Sequence, residues 1–164
     1  MRTKFYVWCM ALFTLLGATA CSDDDHPAHV SDKVKDTFAK DYPNAGRVEW
    51  SVKAGYNVTD FYQDGVEMDV WYDKNAQWCM TETDLRRDLA QLPMAVQNAY
   101  QSSEYSSWTI DDIDKYECPD KVFYLIEIET KGKKDRNLFY SNSGQLLRDV
   151  EDKENDDVLP TISF

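Results

Sequence analysis

The chain has 164 residues and a formal net charge of −12, with 18 lysines and arginines against 30 aspartates and glutamates. So acidic a surface repels phosphate backbones and anionic headgroups, which argues against a nucleic-acid partner and against electrostatic adsorption to a membrane. Aromatic residues make up 13%, so a few tryptophans and tyrosines supply much of the burial, each removing about 150–250 Å² from water.

Arg2 and Lys4 precede an apolar run from Phe5 to Gly17. That run falls short of the roughly 20 residues a membrane span needs, and it reads as a signal peptide over residues 1–20. Ala18-Thr19-Ala20-Cys21 resembles the lipobox of bacterial lipoproteins, with Ala18 where leucine is favoured. The resemblance implies lipidation at Cys21; ordinary cleavage after Ala20 is the alternative. Ser22-Asp23-Asp24-Asp25 resembles the acidic export tag of surface lipoproteins from the Bacteroides group, or is simply a solvated tether over 21–30. The expectation is an outer membrane lipoprotein, on the periplasmic side or at the cell surface, held to the membrane by an acyl anchor at Cys21. Loss of residues 1–20 removes two basic side chains and no acidic one, leaving 16 against 30 and a charge of −14.

Ser31 reads as the N-cap of a helix, with Asp32 favourable at the positive end of its dipole. Val34, Phe38 and Tyr42 form an apolar stripe at helical spacing, and Pro43 stops the helix. Alternation and turn residues then predict four antiparallel strands, Arg47 to Lys53, Tyr56 to Tyr62, Val66 to Asp73 and Gln77 to Thr81. Their turns carry Asp64-Gly65 and Lys74-Asn75-Ala76.

Residues 85–91 form a polar connector with room for one helical turn, and Pro93 opens a second helix that reaches about Ser102. Val96 and Tyr100 repeat the spacing of Val34 and Phe38. Trp108 to Glu117 is the next strand, and Lys121 to Leu147 holds two apolar strands and a rim strand, with turns at Lys131-Gly132-Lys133 and Asn142-Ser143-Gly144. Val122, Tyr124, Ile126 and Ile128 share one face, so this strand is buried on much of both sides. The tail from Lys153 ends in Leu159, Ile162 and Phe164 and either docks on the body or frays.

The chain thus states one pattern twice. The expected fold is α+β, with two tandem repeats, residues 31–84 and 92–152, each one helix plus a four-stranded antiparallel sheet.

Leu92 to Val96, Ile110 to Lys115, Phe123 to Ile128 and Asn142 to Leu147 together resemble the PepSY-like, β-lactamase-inhibitor-like domains of Bacteroidetes envelope proteins. Phe38, Tyr42-Pro43, Val48 to Trp50, Asp64-Gly65 and Tyr72 to Trp78 carry the same resemblance. It covers about Ser31 to Asp152 and implies that the two repeats form a curved sheet with helices on one face, with no set of active residues. Ala76 departs from it where glycine is usual, which implies a strained or different turn. A fold-family name is not evidence of lactamase inhibition.

Catalytic constellations are missing. His26 and His29 both lie in the tether, so Ser-His-Asp and Cys-His systems have no histidine in the folded part. Asp73-x-Asn75-x-Gln77 is faintly like a calcium loop, but Asp84 stands at the last position and the central glycine is absent. No phosphate loop or CxxC pair occurs. Carboxylates such as Glu67, Asp69, Glu127 and Glu129 are too many to single out a pair. No enzyme activity, metal or cofactor is therefore expected.

Cys79 and Cys118 are the cysteines of the folded part, and they either pair in an oxidising compartment or remain independent thiols. The candidate binding face is the sheet side turned from the helices. Alternation places Glu67, Asp69 and Trp71 there, and the reading adds Phe61 from the neighbouring strand and Phe139 through the repeat. Such a face would bind an envelope or extracellular protein; glycan or peptide capture is the alternative. It is equally consistent with Trp71 lying as ordinary core beneath the tail or the other repeat.

Overall fold

The computed structural model of the protein describes residues 30–153 and 157–164. The expected signal peptide, the lipidation site at Cys21, most of the acidic tether and both histidines lie outside the described residues. Val30, the last tether residue, is buried beside Val34 and Phe38.

Helix α1 spans Asp32–Asp41. Ser31 takes the extended N-cap conformation, yet its side chain makes no capping bond; its carbonyl accepts from the amides of Val34 and Lys35 instead. Asp32 at the start and Lys40 at the end both oppose the helix dipole favourably. Val34 and Phe38 are its buried residues, and Tyr42 closes it by donating its amide to the Phe38 carbonyl.

Four strands follow: β1 Gly46–Lys53, β2 Tyr56–Gln63, β3 Val66–Tyr72 and β4 Trp78–Asp84. The connector supplies a 3₁₀ turn over Leu89–Gln91, and α2 spans Met94–Gln101 behind Pro93. The chain closes with β5 Thr109–Glu117, β6 Val122–Glu129, β7 Arg136–Ser141 and β8 Leu146–Glu151.

The expectation of two repeats, each a helix with its own four-stranded sheet, does not hold. All eight strands form one antiparallel sheet in the order β1 to β8, and β4 pairs with β5 through Thr81↔Glu117 and Asp84↔Asp114. The physical reason is that separate sheets would each leave a long edge of unpaired amides and carbonyls, which this pairing satisfies.

Both helices lie on the same side of that sheet. Phe61, Met68 and Thr83 are successive cross-strand partners, and the row continues through Lys115, Tyr124 and Tyr140. Phe61 packs with α1 and its residues Val34 and Phe38, while Tyr124 and Tyr140 pack with Val96 and Tyr100 of α2. Two helix-side cores thus share one sheet.

The turns that carry the sequence likeness share a conformation. Ala76 has φ +62° and Gly144 φ +82°, both left-handed. Ala76 therefore adopts the glycine-like turn and carries a Cβ penalty of roughly 1–2 kcal/mol. At Gly144 a Cβ would meet the Ala95 carbonyl oxygen at 2.4 Å, so glycine there lets α2 sit directly on the turn.

Candidate functional site

The sheet face turned from the helices divides into an apolar half and an acidic half. Strand register builds the apolar floor: Val58, Trp71 and Met80 are cross-strand partners, as are Tyr116 with Phe123 and Leu125 with Phe139. Together with Cys118 these form one buried cluster. Tyr116 and Phe123 stack with ring centroids 4.9 Å apart and planes 8° from parallel.

One step along the strands the same face turns acidic. Asp60, Asp69 and Glu82 pair across β2, β3 and β4, Asp84 faces Asp114, and Asp112 faces Glu127. Tyr116 sits at the seam, donating its hydroxyl proton to Glu82. Burial raises its phenol well above the ordinary tyrosine range, and the carboxylates of Glu82, Asp114 and Glu127 add to that rise.

Of the residues expected on this face, Trp71 and Phe139 belong to the apolar floor, and Glu67 and Asp69 lie half-buried on the acidic side. Glu67 accepts a hydrogen bond from the Tyr62 hydroxyl at 2.5 Å. Phe61 belongs to the opposite face. The two-residue Asp64-Gly65 turn makes Gln63 and Val66 partners, and that register sets Phe61 beside Met68 under α1. The turn was visible in the sequence, so counting back from it would have placed Phe61 correctly.

Trp71 is only 1% exposed, because the C-terminal segment lies over it. Val158, Leu159 and Ile162 pack against the floor, and the Phe164 ring sits 5.1 Å from Phe123 and 5.7 Å from Phe139. Its polar attachments are few. Lys121 Nζ donates to the Ile162 carbonyl and lies 5.9 Å from the Phe164 ring centroid, and Lys53 bridges to Asp157 at 3.1 Å while its ammonium lies 5.6 Å from the Trp71 centroid. The segment joins no strand ladder.

The fit of this strap is imperfect. A cavity of about 420 Å³ remains between it and the last two strands, lined by Asn137, Phe139, Arg148, Val150, Leu159 and Ile162 among others. Asn137, 8% exposed, donates through Nδ2 to Asp152, but its Oδ1 has no hydrogen-bond partner among the described residues. Trp71 Nε1 is buried in the same condition. Each such orphaned group costs on the order of 1–3 kcal/mol.

The carboxylates of Asp84, Asp112 and Asp114 offer oxygens within 4.8 Å of one another. Two already accept backbone amides, Asp84 from Arg86 and Asp112 from Ile113, and three oxygens fall short of the about six to eight that calcium takes. Sequence reading missed this trio because 27 residues lie between Asp84 and Asp112, and only the pairing of Asp84 with Asp114 across β4 and β5 brings the three together. Cys79 and Cys118 are both free thiols, and burial is the largest cause raising each above its ordinary range. Among the described residues no helix is long and apolar enough to cross a membrane.

Known proteins resemble this arrangement. A family described as "Putative beta-lactamase-inhibitor-like, PepSY-like" matches residues 54–148. The crystal structure of a BLIP-like protein from Bacteroides fragilis shares 35% identity, covers 80% of this chain and 94% of its own, and superposes with a TM-score of 0.72. A DUF2874 family protein from Bacteroides ovatus shares 33% identity over 77% of this chain and 89% of its own, with a TM-score of 0.70. A protein from Bacteroides eggerthii described as "putative periplasmic" shares 27% identity over 75% of this chain and 89% of its own, at 0.72. No curated protein matches. The description of the third relative is consistent with an envelope location.

Proposed function

Because the chain belongs to the PepSY-like, β-lactamase-inhibitor-like family, we propose that it is a non-catalytic lipoprotein of the cell envelope that binds another protein through the sheet face turned from its helices. The observation that carries this reading is the composition of that face, an aromatic floor bordered by a band of carboxylates. Apolar surface supplies the affinity of an interface, and a one-signed charged border selects and steers its partner. A basic partner surface fits that border.

The lipid anchor at Cys21 and an outer membrane position belong to this proposal as well. Peptide capture is favoured over glycan capture, since Trp71, on which a sugar ring would stack, is covered by the strap.

The test is cross-linking in the native envelope with the chain from residue 22 onward as bait. The control replaces Asp69→Asn and Glu82→Gln, which removes charge while keeping shape. Trp71→Ala would be a poor control, because truncating so buried a side chain costs about 3–5 kcal/mol of stability. A protein captured by the natural chain and lost with the control supports the proposal. Capture indifferent to the control moves the contact off this face.

A further inference from the structure

The strap over the apolar floor has the features of a stand-in for a ligand. It presents three apolar side chains, Leu159, Ile162 and Phe164, from either side of a turn at Pro160-Thr161 in which the Ile162 amide donates to the Leu159 carbonyl, to a floor that includes Trp71, Phe123 and Phe139. Yet Phe164 remains 46% exposed, the strap forms no ladder with the sheet, and a cavity stays open beneath it. Asn137 Oδ1 needs a donor and Trp71 Nε1 needs an acceptor. A peptide backbone carries both.

We propose that this floor is a peptide-binding cleft and that residues 157–164 occupy it in cis until a partner displaces them. The partner segment is apolar, carries an aromatic residue that packs on Phe123 and Phe139, and bears a basic residue toward the carboxylates of Asp60, Asp69 and Glu82. The chemistry of the cleft specifies each of these properties. The floor rewards apolar and aromatic side chains, the two orphaned polar atoms reward an unpaired backbone, and the acidic border rewards positive charge. A tethered occupant with few polar attachments competes by proximity rather than by fit, at an effective concentration in the millimolar range. It therefore yields only to a segment that fits better. This inference rests on the protein-binding reading above and names what part of the face does.

The experiment uses the full mature chain and a fluorescein-labelled peptide of sequence Asp-Val-Leu-Pro-Thr-Ile-Ser-Phe, with binding read by anisotropy. Ile162→Ala with Phe164→Ala loosens the strap in cis. That variant should bind the free peptide at least about tenfold more tightly than the natural chain does, because the tethered competitor has been weakened. A peptide with alanine at the Ile and Phe positions should not bind, and a lysine added to either end should tighten binding.

If the double variant loses its fold by circular dichroism, Phe164→Ala alone carries the same test, since it weakens the strap and leaves every residue of the floor in place for the free peptide. A folded variant that binds the peptide no better than the natural chain overturns the proposal. So does a concentration-dependent dimer of the natural chain that the double variant abolishes, which would make the strap itself the ligand of a second copy. Envelope capture that depends on Asp69 and Glu82 alongside absent peptide binding would refute the cleft and leave the protein-binding reading standing.

Discussion

Replacing Gly144 with alanine would drive a methyl group into the first turn of α2. Its Cβ would lie 2.4 Å from the Ala95 carbonyl oxygen and 2.7 Å from the carbonyl carbon. Carbon and carbonyl oxygen settle at about 3.3–3.6 Å, so the helix must retreat by roughly 1 Å. Overpacking of that kind costs about 1–3 kcal/mol. A side chain in the left-handed region adds about 1–2 kcal/mol. The sum, about 2–5 kcal/mol, is a large part of the roughly 5–15 kcal/mol that holds a domain together. At about 3–5 °C per kcal/mol for a domain of this size, the melting temperature should fall by roughly 6–25 °C. Gly132→Ala is the matched control, because φ there is +81° and nothing lies within 4 Å of the added Cβ. It should show the backbone cost alone. Thermal unfolding followed by circular dichroism measures both, and equal melting temperatures for the two variants would refute the claim that α2 rests on this turn.

Three further outcomes can be checked. Burial raises the phenols of Tyr72, Tyr100, Tyr116, Tyr124 and Tyr140 above the tyrosine range, and a hydrogen bond to Asp149 is the largest cause at Tyr105. Their folded values exceed the unfolded value of about 10, so the stability they contribute is complete below about pH 10 and is lost as pH rises through the folded values. Absorbance titration at 295 nm should therefore show some tyrosines ionising late, with unfolding, and a single early step for all of them would contradict this. The Asp73 carboxylate accepts the amides of Gln77 and Asn75, which hold it below the usual aspartate range. Its contribution is present above about pH 3.9 and fades as pH falls through the depressed folded value; the melting difference between the natural chain and Asp73→Ala should be clear at pH 7 and vanish in strong acid. Alkylation of the native, unreduced protein should label half-buried Cys79 faster than buried Cys118; protection of both thiols until reductant is added would show a bridge.

Much of this protein could be read from its residues because the signals are local. Period-two alternation, Asp64-Gly65, Asn142-Ser143-Gly144, Pro43 and Pro93 each act over a few positions, and the strands and helices lie where these residues put them. The family resemblance and the acidity of the sheet were legible for the same reason. Even the place of Phe61 was encoded locally, in the length of one turn, although the reading overlooked it.

The tertiary structure alone decided three things. It joined β4 to β5 across 24 intervening residues that hold α2, so that one eight-stranded sheet stands where two four-stranded repeats were expected. It laid the C-terminal strap over Trp71, and it gathered the carboxylates of separate strands into one band. Each of these contacts links segments far apart in the chain, and their stability comes from satisfying distant backbone edges and burying apolar surface. No neighbouring residue encodes that choice; it exists only once the sheet has formed.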